Sequence, residues 1–176
     1  DYHFDAPSAL QLQSDLNALR AAQREWSARS LADRIAVLQR WRQEWLARQA
    51  EITAALAIDT GRHLIATSEV GSVLGMIDRW CGDAPKLALE EDFRSPSNPN
   101  ISYRSQYVPY PLVGIISPWN FPVSLCFIDA IPALLAGCAV YVKPSEITPR
   151  FVVPAMQSIA DVPELAAVFR LQPGGR

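Results

Sequence analysis

Apolar positions give the first half of the chain a helical rhythm. Leu12, Leu16 and Leu19 recur at intervals of three and four, as do Leu31, Ile35, Leu38, Trp41 and Trp45, and later Val70, Val73, Ile77 and Trp80. Each set therefore falls on one face of an α-helix. Ser8 stands three residues before Gln11 and Ser30 three before Asp33, the spacing at which side chains satisfy the orphan amides of a first turn. A third helix over residues 51–60 is predicted to stop at Gly61, because glycine enters the left-handed conformation without a Cβ penalty.

The pattern then changes. Residues 90–111 are rich in Pro, Ser and Asn, and read as a linker around one short strand. Within it Ile101, Tyr103, Ser105 and Tyr107 alternate with Ser102, Arg104, Gln106 and Val108, the period of a strand with one wet face. Beyond residue 111 short apolar runs at 113–117, 139–143 and 168–172 alternate with stretches of helical length at 122–135 and 149–159. Such an order predicts an α/β fold, with parallel strands joined by right-handed helical crossovers and covered on both faces.

Composition removes several functions. The 176 residues are 49% apolar, enough for a core, and a formal charge of -2 gives no electrostatic footprint for nucleic acid. Seven arginines between Arg20 and Arg48 are interleaved with Glu25, Asp33 and Glu44, as on a solvated helix face. Cys81, Cys126 and Cys138 are far apart and odd in number, which predicts neither a disulfide framework nor a zinc site. With only His3 and His63, a histidine triad has little to build on. No signal peptide is expected from the acidic N-terminus, and a reducing cytoplasm is the expected setting. Residues 125–142 approach membrane-spanning length, but Asp129, Pro132 and Gly137 interrupt them. A mid-span charge costs roughly 2.5 kcal/mol or more in lipid; the stretch reads as a buried helix, a glycine stop and a buried strand.

Candidate chemistry lies at two corners. In open parallel sheets ligands gather beyond the carboxyl ends of the strands, near helix N-termini. S-P-W-N-F-P, residues 117–122, follows the first parallel strand, and K-P-S-E-I-T-P, residues 143–149, follows the second. Their prolines fix φ and hold neighbouring side chains in register. Taken alone, Asn120 is a good N-cap for the helix at Pro122; its amide can equally donate to an oxygen that gains charge during a reaction. Lys143 and Glu146 form a surface ion pair or grip the hydroxyls of a ribose. Thr148 before Pro149 reads as a helix cap.

P-W-N-F-P followed by A-G-C-A-V-Y-V-K-P-S-E-I-T-P, residues 136–149, resembles the aldehyde dehydrogenase superfamily, and the paired motifs are highly specific. D-T-G-R at residues 59–62 and the strand at 103–108 resemble further parts of that family, so the likeness covers essentially the whole chain. The resemblance implies N-terminal helices packed on a partial Rossmann-like parallel sheet. Residues 1–93 and 109–176 would then form part of an NAD(P)-binding domain, and 94–108 a linker with an oligomerisation strand. It also implies oxidation of an aldehyde to an acid through a cysteine thiohemiacetal, in a homo-oligomeric parent with no nucleic-acid or membrane partner.

By the same resemblance Asn120 is the side-chain member of the oxyanion hole. Ile116, Ser117, Pro118 and Trp119 border the cofactor, while Lys143, Glu146 and neighbouring Ser145 hold its adenosine ribose. Phe121, Leu125 and Ile128 resemble the wall of the aldehyde tunnel, with core packing an equal explanation for Leu125 and Ile128. Glu146 opposite the 2′ position favours NAD, and Lys143 leaves NADP open. Pro111, Arg170 and Arg176 depart from the family pattern. None of the three cysteines matches the nucleophile motif, and the nucleophilic cysteine and general-base glutamate are expected beyond Arg176. The chain alone is therefore expected to be inactive. The rival expectation is a non-catalytic nucleotide-binding or interaction module of the same fold.

Overall fold

Ser8 and Ser30 cap their helices as the spacing predicts. In the computed structural model Ser8 Oγ accepts from the Gln11 amide at 3.2 Å and starts α1 (Ala9–Ala28). Ser30 Oγ accepts from the Asp33 amide at 3.1 Å and starts α2 (Leu31–Ala47). Gly61, at φ 66°, closes α3 (Gln49–Thr60), and α4 (His63–Leu87) follows. The structure describes residues 4–87 and 92–174. His3, Glu90 and Arg176, each used in the sequence reading, lie outside them.

The alternation after residue 111 is a three-stranded parallel sheet in the order β3-β4-β5, with β3 at Leu112–Ile116, β4 at Ala139–Lys143 and β5 at Phe169–Leu171. Helix α5 (Pro122–Ala136) makes the first crossover; α6 (Val152–Ala160) and the single turn α7 (Pro163–Ala166), which periodicity did not show, make the second. Register puts Val113, Val140 and Phe169 side by side, followed by Ile115, Val142 and Leu171. Since strand side chains alternate, these residues form one face and Leu112, Gly114, Ile116, Tyr141 and Lys143 the other.

The first face carries the core. Phe127 of α5 lies with its ring centroid 4.9 Å from Trp45, 5.6 Å from Trp41 and 6.0 Å from Phe169. The buried indoles keep their donors satisfied: Trp41 Nε1 donates to Ser158 Oγ and Trp45 Nε1 to the Val70 carbonyl, both at 3.0 Å. The second face is only partly covered. Arg170 of β5 pairs with Asp15 of α1 at 3.0 Å, a use for one of the departures from the family pattern. Leu12 and Leu16 approach the strands, but a cleft of about 620 Å³ remains between α1 and the strand ends. The expectation of a sheet covered on both faces thus holds fully for one face and, through α1, in part for the other.

Helix α5 is held firmly at its C-terminal end. Gly137 takes φ 97°, and a Cβ there would meet Ser27 Cα at 3.4 Å. Gln23 Nε2, Trp26 Nε1 and Arg34 Nε donate, each at 2.9 Å, to the carbonyls of Gly137, Leu134 and Leu135. These bonds satisfy acceptors that a helix end leaves open.

The strand expected over residues 101–108 is shorter. Only β2 (Ser102–Arg104) pairs, antiparallel, with β1 (Asp92–Arg94). All three β2 residues are exposed, so neither of its faces is dry. Because β1 is three residues long, the ladder ends at Arg104. Among the described residues no helix is long and apolar enough to cross a membrane.

Candidate functional site

Parallel register sets Ile116 beside Lys143, so both proline-rich corners leave the same edge of the sheet. The Ser117 amide donates to the Lys143 carbonyl at 3.0 Å, tying one corner to the other through backbone. Buried Ser117 also directs its hydroxyl to the Pro122 carbonyl at 3.5 Å. Trp119, Asn120 and Phe121 stand out from this tie, all exposed. Ile116 is 83% exposed, an apolar side chain left open at a strand end.

The second corner is more enclosed. Pro144 and Ser145 are buried, and Ser145 Oγ accepts from the Ile147 amide at 3.2 Å. Lys143 Nζ donates to Glu146 Oε2 at 3.3 Å, with both side chains partly open to solvent. The ion pair left open by the sequence is thus present, and its Lys143 lines the cleft together with Ile116, Gln172 and Gly174. An ammonium and a carboxylate beside an apolar cleft suit the sugar and base of a nucleotide.

Leu125 and Ile128 do not pack in the core. Leu125 is half-buried and Ile128 is 43% exposed, on the turns of α5 that follow exposed Phe121. They stand three residues apart and so share one partly open face of α5.

Two sequence-level cap assignments fail, for one reason. Helix α5 begins with Phe121 at the cap position and no side-chain cap bond. The Val123 amide, which an Asn120 cap would have taken, donates instead to Glu69 Oε1 of α4 at 2.9 Å. Thr148 does not cap α6 either: that helix starts at Val152, and Thr148 Oγ1 is buried without a hydrogen-bond partner among the described residues. Asp59 of α3 takes the Arg150 amide at 2.8 Å and its guanidinium at 2.7 Å. Both corners are capped from outside, by acids of the N-terminal helices.

No cysteine here is equipped as a nucleophile. Cys81, Cys126 and Cys138 are buried, and burial pushes each thiol up, Cys126 to about 12 despite its hydrogen bond with Ser117. A thiolate is the reactive species, so all three should be inert at neutral pH. An aromatic disulfide reagent is expected to leave them unmodified until the chain is unfolded; fast labelling of any one in the folded protein would contradict this. Among the described residues no three His, Cys, Asp or Glu side chains gather to hold a metal.

The model of the aldehyde dehydrogenase family matches residues 3–175. The chain belongs to that family. N-succinylglutamate 5-semialdehyde dehydrogenase of Chromobacterium violaceum is 34% identical over 145 residues, which cover 82% of this chain and 29% of the relative. Among solved structures, PutA from Anabaena variabilis matches with a TM-score of 0.96 at 48% identity, over 99% of this chain and 37% of that one. An NAD-dependent benzaldehyde dehydrogenase from Corynebacterium glutamicum matches with a TM-score of 0.86 at 26% identity, over 97% of this chain and 37% of that one. The chain spans about a third of the length of these relatives.

Three residues of this aldehyde dehydrogenase chain escaped the sequence reading as parts of the site. Glu69 is 4% exposed, with Oε2 unpartnered among the described residues. Burial raises its pKa, opposed by the Val123 and Ser124 amides and the Arg62 charge. Arg62 Nη2 donates to the Asn120 carbonyl at 2.5 Å, and its guanidinium lies 5.6 Å from the centroid of Phe121. Asp59 thus reaches the second corner, at Arg150, and Arg62 the first, at Asn120. A signal existed for Glu69: an acid within the buried stripe of Ala66, Val70, Val73 and Ile77.

Proposed function

We propose that this chain supplies the cofactor-binding side and one oxyanion donor of an enzyme that oxidises an aldehyde to a carboxylic acid with a nicotinamide cofactor. Convergence of the two corners on one sheet edge, with the Asn120 side chain outside the helix cap, is the observation that carries the reading. Family membership supports it.

Each residue then has a task. Asn120 donates its amide hydrogen to the aldehyde oxygen as that oxygen gains charge. Phe121, Leu125 and Ile128 exclude water and hold the apolar part of the aldehyde. Lys143 and Glu146 hold the hydroxyls of the adenosine ribose, beside Ser145, with Ile116, Ser117, Pro118 and Trp119 against the cofactor. The cofactor, when bound, accepts the hydride that leaves the aldehyde carbon. Because the three cysteines here are buried thiols, the attacking thiolate comes from outside these residues. Glu146 beside the ribose disfavours a 2′-phosphate, so NAD is preferred to NADP. The β1–β2 hairpin, with Phe93 50% and Tyr103 55% exposed, is the contact we assign to a homo-oligomer.

Cofactor titration tests the site directly. A hydrogen bond to a charged group is worth about 1.5–3 kcal/mol, so Lys143→Ala is expected to weaken NAD binding about 10- to 100-fold. Glu146→Gln should shift preference toward NADP. Unchanged dissociation constants in both variants would sink the assignment.

A further inference from the structure

The corner carrying Asn120 has more freedom than its prolines suggest. Pro118 and Pro122 fix their own φ and restrict the residues before them, but Trp119 and Asn120 keep both backbone torsions. An exposed pair of free residues is a poor mount for a donor that must already be aimed when charge develops. The structure places two side chains on this corner, Arg62 from the link between α3 and α4 and Glu69 from α4. Arg62 holds the Asn120 carbonyl at 2.5 Å and covers the Phe121 ring at 5.6 Å, so the peptide plane between those residues is fixed, and with it ψ of Asn120. Glu69 holds the Val123 amide at 2.9 Å, fixing where α5 starts. Ser72 of α4 adds a hydroxyl contact to Ser124 at 3.3 Å.

We propose that Arg62 and Glu69 are positioning residues for Asn120, acting through its main chain from the α3–α4 junction. The inference rests on the reading of Asn120 as an oxyanion donor, and its purpose is distinct from general stability. Two observations separate them. Arg62 is bonded to the carbonyl of the donor residue itself, and Glu69 is a buried acid whose second oxygen has no partner among the described residues. Glu69 is an acid in an otherwise apolar stripe because it caps Val123, and that cap is what sets where α5 starts after Asn120.

The test is a set of double-mutant cycles in the complete enzyme. Because small misplacements of a catalytic group cost up to about 100-fold, Arg62→Met and Glu69→Ala are each expected to lower kcat about 10- to 100-fold, without changing the dissociation constant for NAD. In an Asn120→Ala background neither should cost anything more. Glu69→Gln, whose amide oxygen can still accept from Val123, should recover most of the loss, and it serves if Glu69→Ala does not fold. Hydrogen exchange at the amides of Phe121, Val123 and Ser124 should speed up in Arg62→Met and stay at the parent rate in Asn120→Ala. If Arg62→Met costs the same factor with and without Asn120, or leaves kcat intact, the positioning role is overturned while the oxyanion role stands. If Asn120→Ala alone retains kcat, the oxyanion role fails and the positioning proposal falls with it.

Discussion

Asn120→Ala in the complete enzyme is expected to lower kcat by about 10² to 10³, the cost of removing one preorganised donor from a developing oxyanion. Affinity for NAD should not change, since Asn120 lies at the corner after β3 and Lys143 and Glu146, the pair proposed to hold the ribose, at the corner after β4. The pattern matters more than the size: an interaction made only in the transition state lowers kcat and kcat/KM together. A rise in KM with kcat unchanged would make Asn120 a substrate-binding residue instead. Steady-state kinetics over a range of aldehyde concentrations, alongside cofactor titration, separates the two.

Phe127→Ala is expected to cost about 3–5 kcal/mol of stability, the usual range for deleting a fully buried aromatic ring. Phe127 is 0% exposed and sits where α2, α5 and β5 meet, against Trp41, Trp45 and Phe169. For a domain of this size the loss corresponds to a fall in melting temperature of roughly 10 °C. The surrounding rings are too large and too well anchored to collapse into the gap, because both indoles are fixed by hydrogen bonds to Ser158 and Val70. A melting temperature within a degree or two of the parent would show that the aromatic cluster is not the joint between the helical layer and the sheet.

Local signals made much of the fold legible. Ser8, Ser30 and Gly61 each act on a backbone group within four residues, and the structure shows all three doing so. Parallel strands were readable because burial on the core face leaves short apolar runs, and the glycine stop at residue 137 divided one such run correctly from α5. What could not be read was non-local. Asn120 falls one residue short of the α5 cap position and Thr148 three short of that of α6, while Glu69 and Asp59, distant in sequence, take the amides of Val123 and Arg150. The length of β2 was likewise set by its partner β1 rather than by its own alternation.

The same distinction applies to the site. Rigid corners, the Lys143–Glu146 pair and the apolar side chains near Asn120 were visible as motifs because each is contiguous. Arg62 was visible only as part of D-T-G-R, with no sign of its bond to Asn120. A chain folds its helices back over the corners before such a contact exists, so composition and period carry no trace of it.

A structure of the complete enzyme with NAD and an aldehyde bound tests the central claim most directly. The account predicts Lys143 Nζ and the Glu146 carboxylate on the hydroxyls of the adenosine ribose, and Asn120 Nδ2 about 2.7–3.1 Å from the aldehyde-derived oxygen. A nucleotide seated away from the β3–β4 edge, with Asn120 turned to solvent, would contradict it.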